Sequence, residues 1–145
     1  MTKNRICYLV NLRNEVSRLN LQGRDPVLGL SLYDLDAAFN GCGPDSLPDY
    51  ARQVLDNATA VFAPAVMVHD VDFTLSDGLK AAFDAANFRL LINCAKCALD
   101  AEPWTSWKRY ALLAESLSIY LACARFGWSA WLAAYNKNKT NKEQK

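Results

Sequence analysis

No uncharged apolar run in this sequence is long enough to cross a bilayer, which excludes a membrane-spanning helix. The N-terminus opens with basic residues, but the apolar run from Ile6 to Val10 is too short for the core of a secretory leader. The expectation is a cytoplasmic protein, or one exported by a non-classical route. No stretch alternates apolar and polar residues long enough to require a sheet. Only a small hairpin near residues 72–79 is left open. Internal repeats and long linkers are absent as well. The 5 cysteines stand at 7, 42, 94, 97 and 123, and an odd number argues against a fully paired secreted scaffold. Cys94-x-x-Cys97 invites a zinc or redox reading. Zinc would need two more good ligands, and the single histidine lies elsewhere. Helical spacing puts both thiols on one face, so they are read as buried core residues.

Charge of one sign is also lacking. The 145 residues carry 16 Lys and Arg against 15 Asp and Glu, a net +1. The last ten residues, 136–145, hold four Lys and one Glu, so the rest of the chain has 12 basic and 14 acidic residues, or −2. The body is not a basic platform, and no nucleic-acid partner is expected. The tail reads as a polar, disordered end.

What is present is apolar content, 52% of the chain against 21% charged residues, enough for one core. The periodicity is helical. A helix is expected over 7–19, turns over 21–30 because of Gly23, Asp25-Pro26 and Gly29, and one or two helical turns over 32–39. Gly41, Gly43 and Pro44 interrupt the chain, and Ser46-Leu-Pro48 starts a helix to about Asp56. Further helices are expected from Ala60 or Pro64 to Leu75, from Leu79 or Lys80 to Leu99, from Trp104 to Phe126, and from Trp128 to Tyr135. The fold class is therefore all-α. It is one helical domain over 1–135 with two long antiparallel helices and a disordered tail over 136–145.

His69 stands in a strongly apolar helix, AVFAPAVMVHDVDF, with Asp70 directly after it. Adjacent helical residues point about 100° apart, so the pair can border one cleft without facing the same spot. A neutral imidazole can take a proton from water. A hard cation on Asp70 would polarise an ester carbonyl. Calcium wants about six to eight oxygen ligands, so one carboxylate is not enough. The loop FNGCGPD could add carbonyls, and its glycines leave N–H groups for an oxyanion.

These residues resemble the phospholipase A2 superfamily, nearest to its bacterial and phage-associated members. Phe39-Asn-Gly41-Cys-Gly43-Pro44 resembles the family's calcium loop. Phe62-Ala-Pro64-Ala-Val66-Met-Val-His69-Asp70 resembles its Phe-x-x-x-Cys-x-x-His-Asp helix. The stretch from Ser118-Ile-Tyr120 to Arg125-Phe-Gly-Trp128 resembles the C-terminal helix of bacterial relatives, so the likeness covers roughly 39–131. It implies calcium-dependent hydrolysis of the sn-2 ester of glycerophospholipids, with a phospholipid or membrane surface as partner. His69 would be the general base and Asp70 the calcium carboxylate. The carbonyls of Phe39, Gly41 and Gly43 would complete the Ca2+ site, and the Gly41 N–H would hold the oxyanion.

In the family an aspartate on the antiparallel helix bonds the far nitrogen of the histidine. Two residues compete for that role here: Asp84, favoured by charge, and Asn87, favoured by spacing. Three features depart from the family pattern. Phe73 stands where a tyrosine is usual, and Val66 where a cysteine is usual. The loop-to-histidine interval is long, with room for a helix around 48–56.

Trp104, Trp107, Trp128 and Trp131 suit either helix packing or a lipid interface. Two other readings remain. One is a non-enzymatic helical scaffold that binds a protein partner. The other is a structural bundle whose His-Asp pair is accidental.

Overall fold

The computed structural model describes residues 1–39 and 59–143, and every regular element in them is helical. We label the helices α1 (Lys3–Arg18), α2 (Arg24–Gly29), α3 (Leu32–Ala38), α4 (Ala63–Thr74), α5 (Lys80–Ala101), α6 (Trp107–Phe126) and α7 (Trp128–Glu143). A 3-10 turn, Ala60–Phe62, leads into α4. The all-α class holds. Residues 72–79, left open as a hairpin, are the end of α4 and a turn. The expected helix at 48–56 lies outside the described residues, as do Gly41 and Gly43.

Local chemistry sets the boundaries. α1 starts earlier than the periodicity suggested because Thr2 caps it, its side chain accepting from the Arg5 N–H at 3.3 Å. Its end is a Schellman motif. Asn20 takes the left-handed position at φ 49°, its N–H bonds Ser17 O at 3.0 Å, and the Leu21 N–H reaches Val16 O at 3.2 Å. Residues 21–30 were expected to be turns alone, yet 24–29 is a helix. Pro26 sits in its first turn, where no intrahelical N–H is owed, so proline does not forbid it. α6 starts at Trp107 rather than Trp104 because Ser106 caps it, accepting from the Lys108 N–H.

α4 is the central element, and α1, α2, α3, α5 and α7 all pack on it. Seven of its residues are buried, from Pro64 through His69 and again at Val71. A helix that is apolar around most of its circumference needs such an enclosure. α4 and α5 run antiparallel, since Phe73 meets Phe83 near the turn and His69 meets Asn87 further along. α6 then folds back along α5. Arg109 Nη2 bonds Leu99 O near their connection, and Gly127 at the far end lies close to Phe83.

Two polar devices fasten the periphery. The fully buried Asn93 amide accepts from the Gln22 N–H at 2.8 Å and donates to Gln22 O at 2.9 Å, strapping the α1–α2 link to α5. At the other end α7 sits on the α4–α5 turn. Ser76 Oγ donates to Trp131 O at 3.0 Å, and Asn138 Nδ2 donates to Thr74 O at 2.7 Å. Gly78 has φ +77°, and a Cβ there would lie 2.9 Å from the Tyr135 ring, so the turn admits no side chain. These contacts continue α7 to Glu143, well past Tyr135. The segment from 136 was expected to be disordered from its composition. Asn138, through its bond to α4, is one reason it is helical.

Candidate functional site around His69

His69 is held by α4 in the core, and its Nε2 lies 3.0 Å from Asn87 Oδ1. The amide orientation is set from the other side, because Asn87 Nδ2 donates to Phe83 O at 2.9 Å. Oδ1 is therefore the acceptor and Nε2 carries the proton, which leaves the lone pair on Nδ1. Burial lowers the imidazole pKa from 6.5 to about 4, opposed by the Asn87 hydrogen bond and helped slightly by the Arg89 charge. The ring is neutral at pH 7. Such a group accepts a proton weakly, since the imidazolium would be desolvated and backed only by an amide.

Aromatic rings close this end of the helix pair. Phe73 lies 4.5 Å from the His69 ring, and Trp131 meets Phe73 edge-on at 5.1 Å. Trp128 meets Phe83 edge-on at 5.3 Å. A phenol at position 73 would place a hydroxyl against this apolar wall, and phenylalanine fits it without a polar partner. The tryptophans thus divide into two kinds. Trp131 is buried and Trp128 half-buried in packing, while Trp104 and Trp107 are each 74% exposed.

The other predicted residues divide as well. Of the two competitors for the histidine, Asn87 makes the bond. Asp84 points to solvent and pairs with Lys80 one turn back, so it is not the partner. Its charge made it attractive in the sequence, but it lies on the solvent side of α5. Asp70 is half-buried beside His69. Asp72 is largely covered and accepts from Arg89 Nε at 3.0 Å. Burial raises its pKa and the arginine opposes that. Asp72 and Arg89 line a shallow cleft of about 280 Å³ with Trp131, and His69 is not among its lining residues.

Phe39 does not fit the calcium role. Its carbonyl accepts from Arg5 Nη2 at 2.8 Å, while Arg5 Nε bonds Asp36 at 2.6 Å and the guanidinium lies over the Phe39 ring. A carbonyl already facing a guanidinium is a poor ligand for a second cation. No group of three potential metal-ligating side chains occurs among the described residues. Of the predicted Ca2+ donors, Asp70 and the Phe39 carbonyl are described, and Gly41 and Gly43 lie outside the described residues.

Sequence reading missed Arg5 altogether. Its only signal was a basic residue directly before the apolar run Ile6 to Val10. Cys94 and Cys97 are both buried, and burial pushes the Cys97 thiol up to about 11, which suppresses thiolate chemistry. No family model, curated protein or solved structure matches this chain.

Proposed function

We propose that the chain is a carboxylic ester hydrolase of phospholipase A2 type, acting on the sn-2 ester of glycerophospholipids with His69 as general base. The observation that carries this reading is the His69–Asn87 pair. It fixes the tautomer with Nε2 protonated and Nδ1 able to take a proton from water as the water attacks the ester carbonyl. Products are a lysophospholipid and a fatty acid. Asn87 orients the ring in both protonation states but supplies no full negative charge to the imidazolium, so the proton transfer is less supported than with a carboxylate. Calcium remains what the resemblance implies. Arg5 already occupies the Phe39 carbonyl, which takes that oxygen away from the implied site.

Two observations favour a second reading, a non-enzymatic scaffold that binds a protein partner: the amide behind His69 and the guanidinium on Phe39 O. One experiment separates the readings. The purified chain is incubated with phospholipid carrying different acyl chains at sn-1 and sn-2, and released fatty acid is identified by mass spectrometry. Calcium is titrated by calorimetry in parallel, with Asp70→Asn and His69→Gln as controls. Release of the sn-2 chain that His69→Gln abolishes supports the hydrolase. No release, and no calcium binding up to about 10 mM, leaves the scaffold reading in its place.

A further inference from the structure

α6 is covered on one side only. Of its twenty residues, Ser116 alone is buried, and its neighbours are α5 and α7. Trp107, Tyr110, Ala114, Leu117 and Leu121 recur at alternating three- and four-residue steps, which places them along one line of the helix. All five are exposed, and Trp104 leads into the same end. A twenty-residue helix is about 30 Å long, so this is an extended apolar strip rather than an isolated side chain.

The fully exposed charges of α6 and α7 have one sign, and the one acid of α6, Glu115, is half-buried. The exposed residues of α6 include Lys108 near one end and Arg125 near the other, and no acid. The exposed residues of α7 through 140 add Lys137 and Lys139, again with no acid. Residues 102–145 hold seven Lys and Arg against three Asp and Glu, whereas residues 1–101 hold nine against twelve. The second part of the sequence is thus the more basic, and it carries the apolar strip. Antiparallel pairing with a second copy would set basic end against basic end. Indole and phenol rings flanked by long basic side chains match a layer of anionic headgroups over acyl chains.

We infer that the exposed face of α6, led by Trp104 and Trp107, docks on an anionic lipid surface. The helix lies along that surface, since no described helix is long and apolar enough to cross a membrane. The aromatic end dips into the boundary between headgroups and chains, and Lys108 and Arg125 reach the phosphates. This deepens the hydrolase reading by giving it a docking face. It also stands apart from that reading, because binding needs no ester cleavage.

The test uses the full chain and vesicles of ether-linked phosphatidylcholine, with or without ether-linked phosphatidylglycerol. These lipids lack the ester that hydrolysis requires, so binding is scored separately from activity. Cosedimentation with the anionic vesicles is expected, together with a blue shift of tryptophan emission and weakening as salt rises. Lys108→Gln with Arg125→Gln is expected to weaken binding about thirtyfold. Trp104→Ala with Trp107→Ala is expected to weaken it by roughly tenfold or more. Both variants alter exposed positions, and an unchanged melting temperature shows that they fold. Three results would overturn the inference: no vesicle binding, equal binding to neutral vesicles, or a dimer in sedimentation that Leu117→Glu dissociates with vesicle binding absent.

Discussion

α4 and α6 are both apolar helices, yet one is enclosed by five neighbours and the other is open along one side. Apolar content alone therefore does not say where a helix sits. In α4 it supplies the core, and the single histidine is carried inward with it. In α6 it supplies a strip that nothing in the described chain covers. Stability should reside in the first and recognition in the second.

The sharpest way to break that contrast is a pair of truncations. Phe62→Ala, at the entry to α4 and fully buried, should cost about 3–5 kcal/mol in urea unfolding. Leu117→Ala on the strip should change stability by no more than about 0.5 kcal/mol. Comparable losses at the two sites would mean that α6 is enclosed in solution and would remove the contrast.

The next effect comes from acid. His69 titrates near 6.5 when unfolded and about 4 when folded, so below pH 6.5 the unfolded chain takes up a proton that the native state refuses. Stability from this group is complete at neutral pH and falls as pH drops from about 6.5 to 4, by roughly 3 kcal/mol in all. Urea midpoints across that range should slope downward, and His69→Gln should flatten the slope. Asn87→Asp places a carboxylate against Nε2, raises the histidine pKa and makes the acid limb shallower. A wild-type slope unchanged by His69→Gln would show that the imidazole is not held neutral by burial.

A smaller loss is expected at the strap. Asn93→Leu keeps the side-chain bulk but deprives the Gln22 N–H and carbonyl of their partner, at about 2 kcal/mol. Amide exchange at Gln22 should accelerate as well, and a protected Gln22 N–H in the variant would show that the strap is dispensable.

Helical period, the break between α6 and α7 and the burial of the CxxC thiols were all legible in the sequence. So was the pairing of α4 with α5. Three things were not. Capping by Thr2 and Ser106 shifted two helix starts, because a single side-chain hydrogen bond decides a boundary that periodicity only approximates. Proline and glycine concealed α2, since both also suit helix ends. The polar segment after Tyr135 hid the Asn138–Thr74 bond, a contact between positions 64 residues apart that composition cannot reveal. Within the candidate site, the sequence narrowed the histidine's partner to two residues and geometry chose Asn87. Arg5 escaped notice because its targets, Asp36 and Phe39 O, are brought to it only by the fold.

The Asn93 strap also dictates an order of events. Gln22 and Asn93 are 71 residues apart, so the N-terminal link cannot be fastened until most of α5 has been synthesised. At roughly 5–20 residues per second, that interval is on the order of several seconds. Until α4 has followed, Leu9, Leu12 and Val16 on α1, all buried in the finished fold, lack the central helix they rest against. The link between α1 and α2 is therefore fastened to α5 late, after α4 has already offered α1 an apolar face.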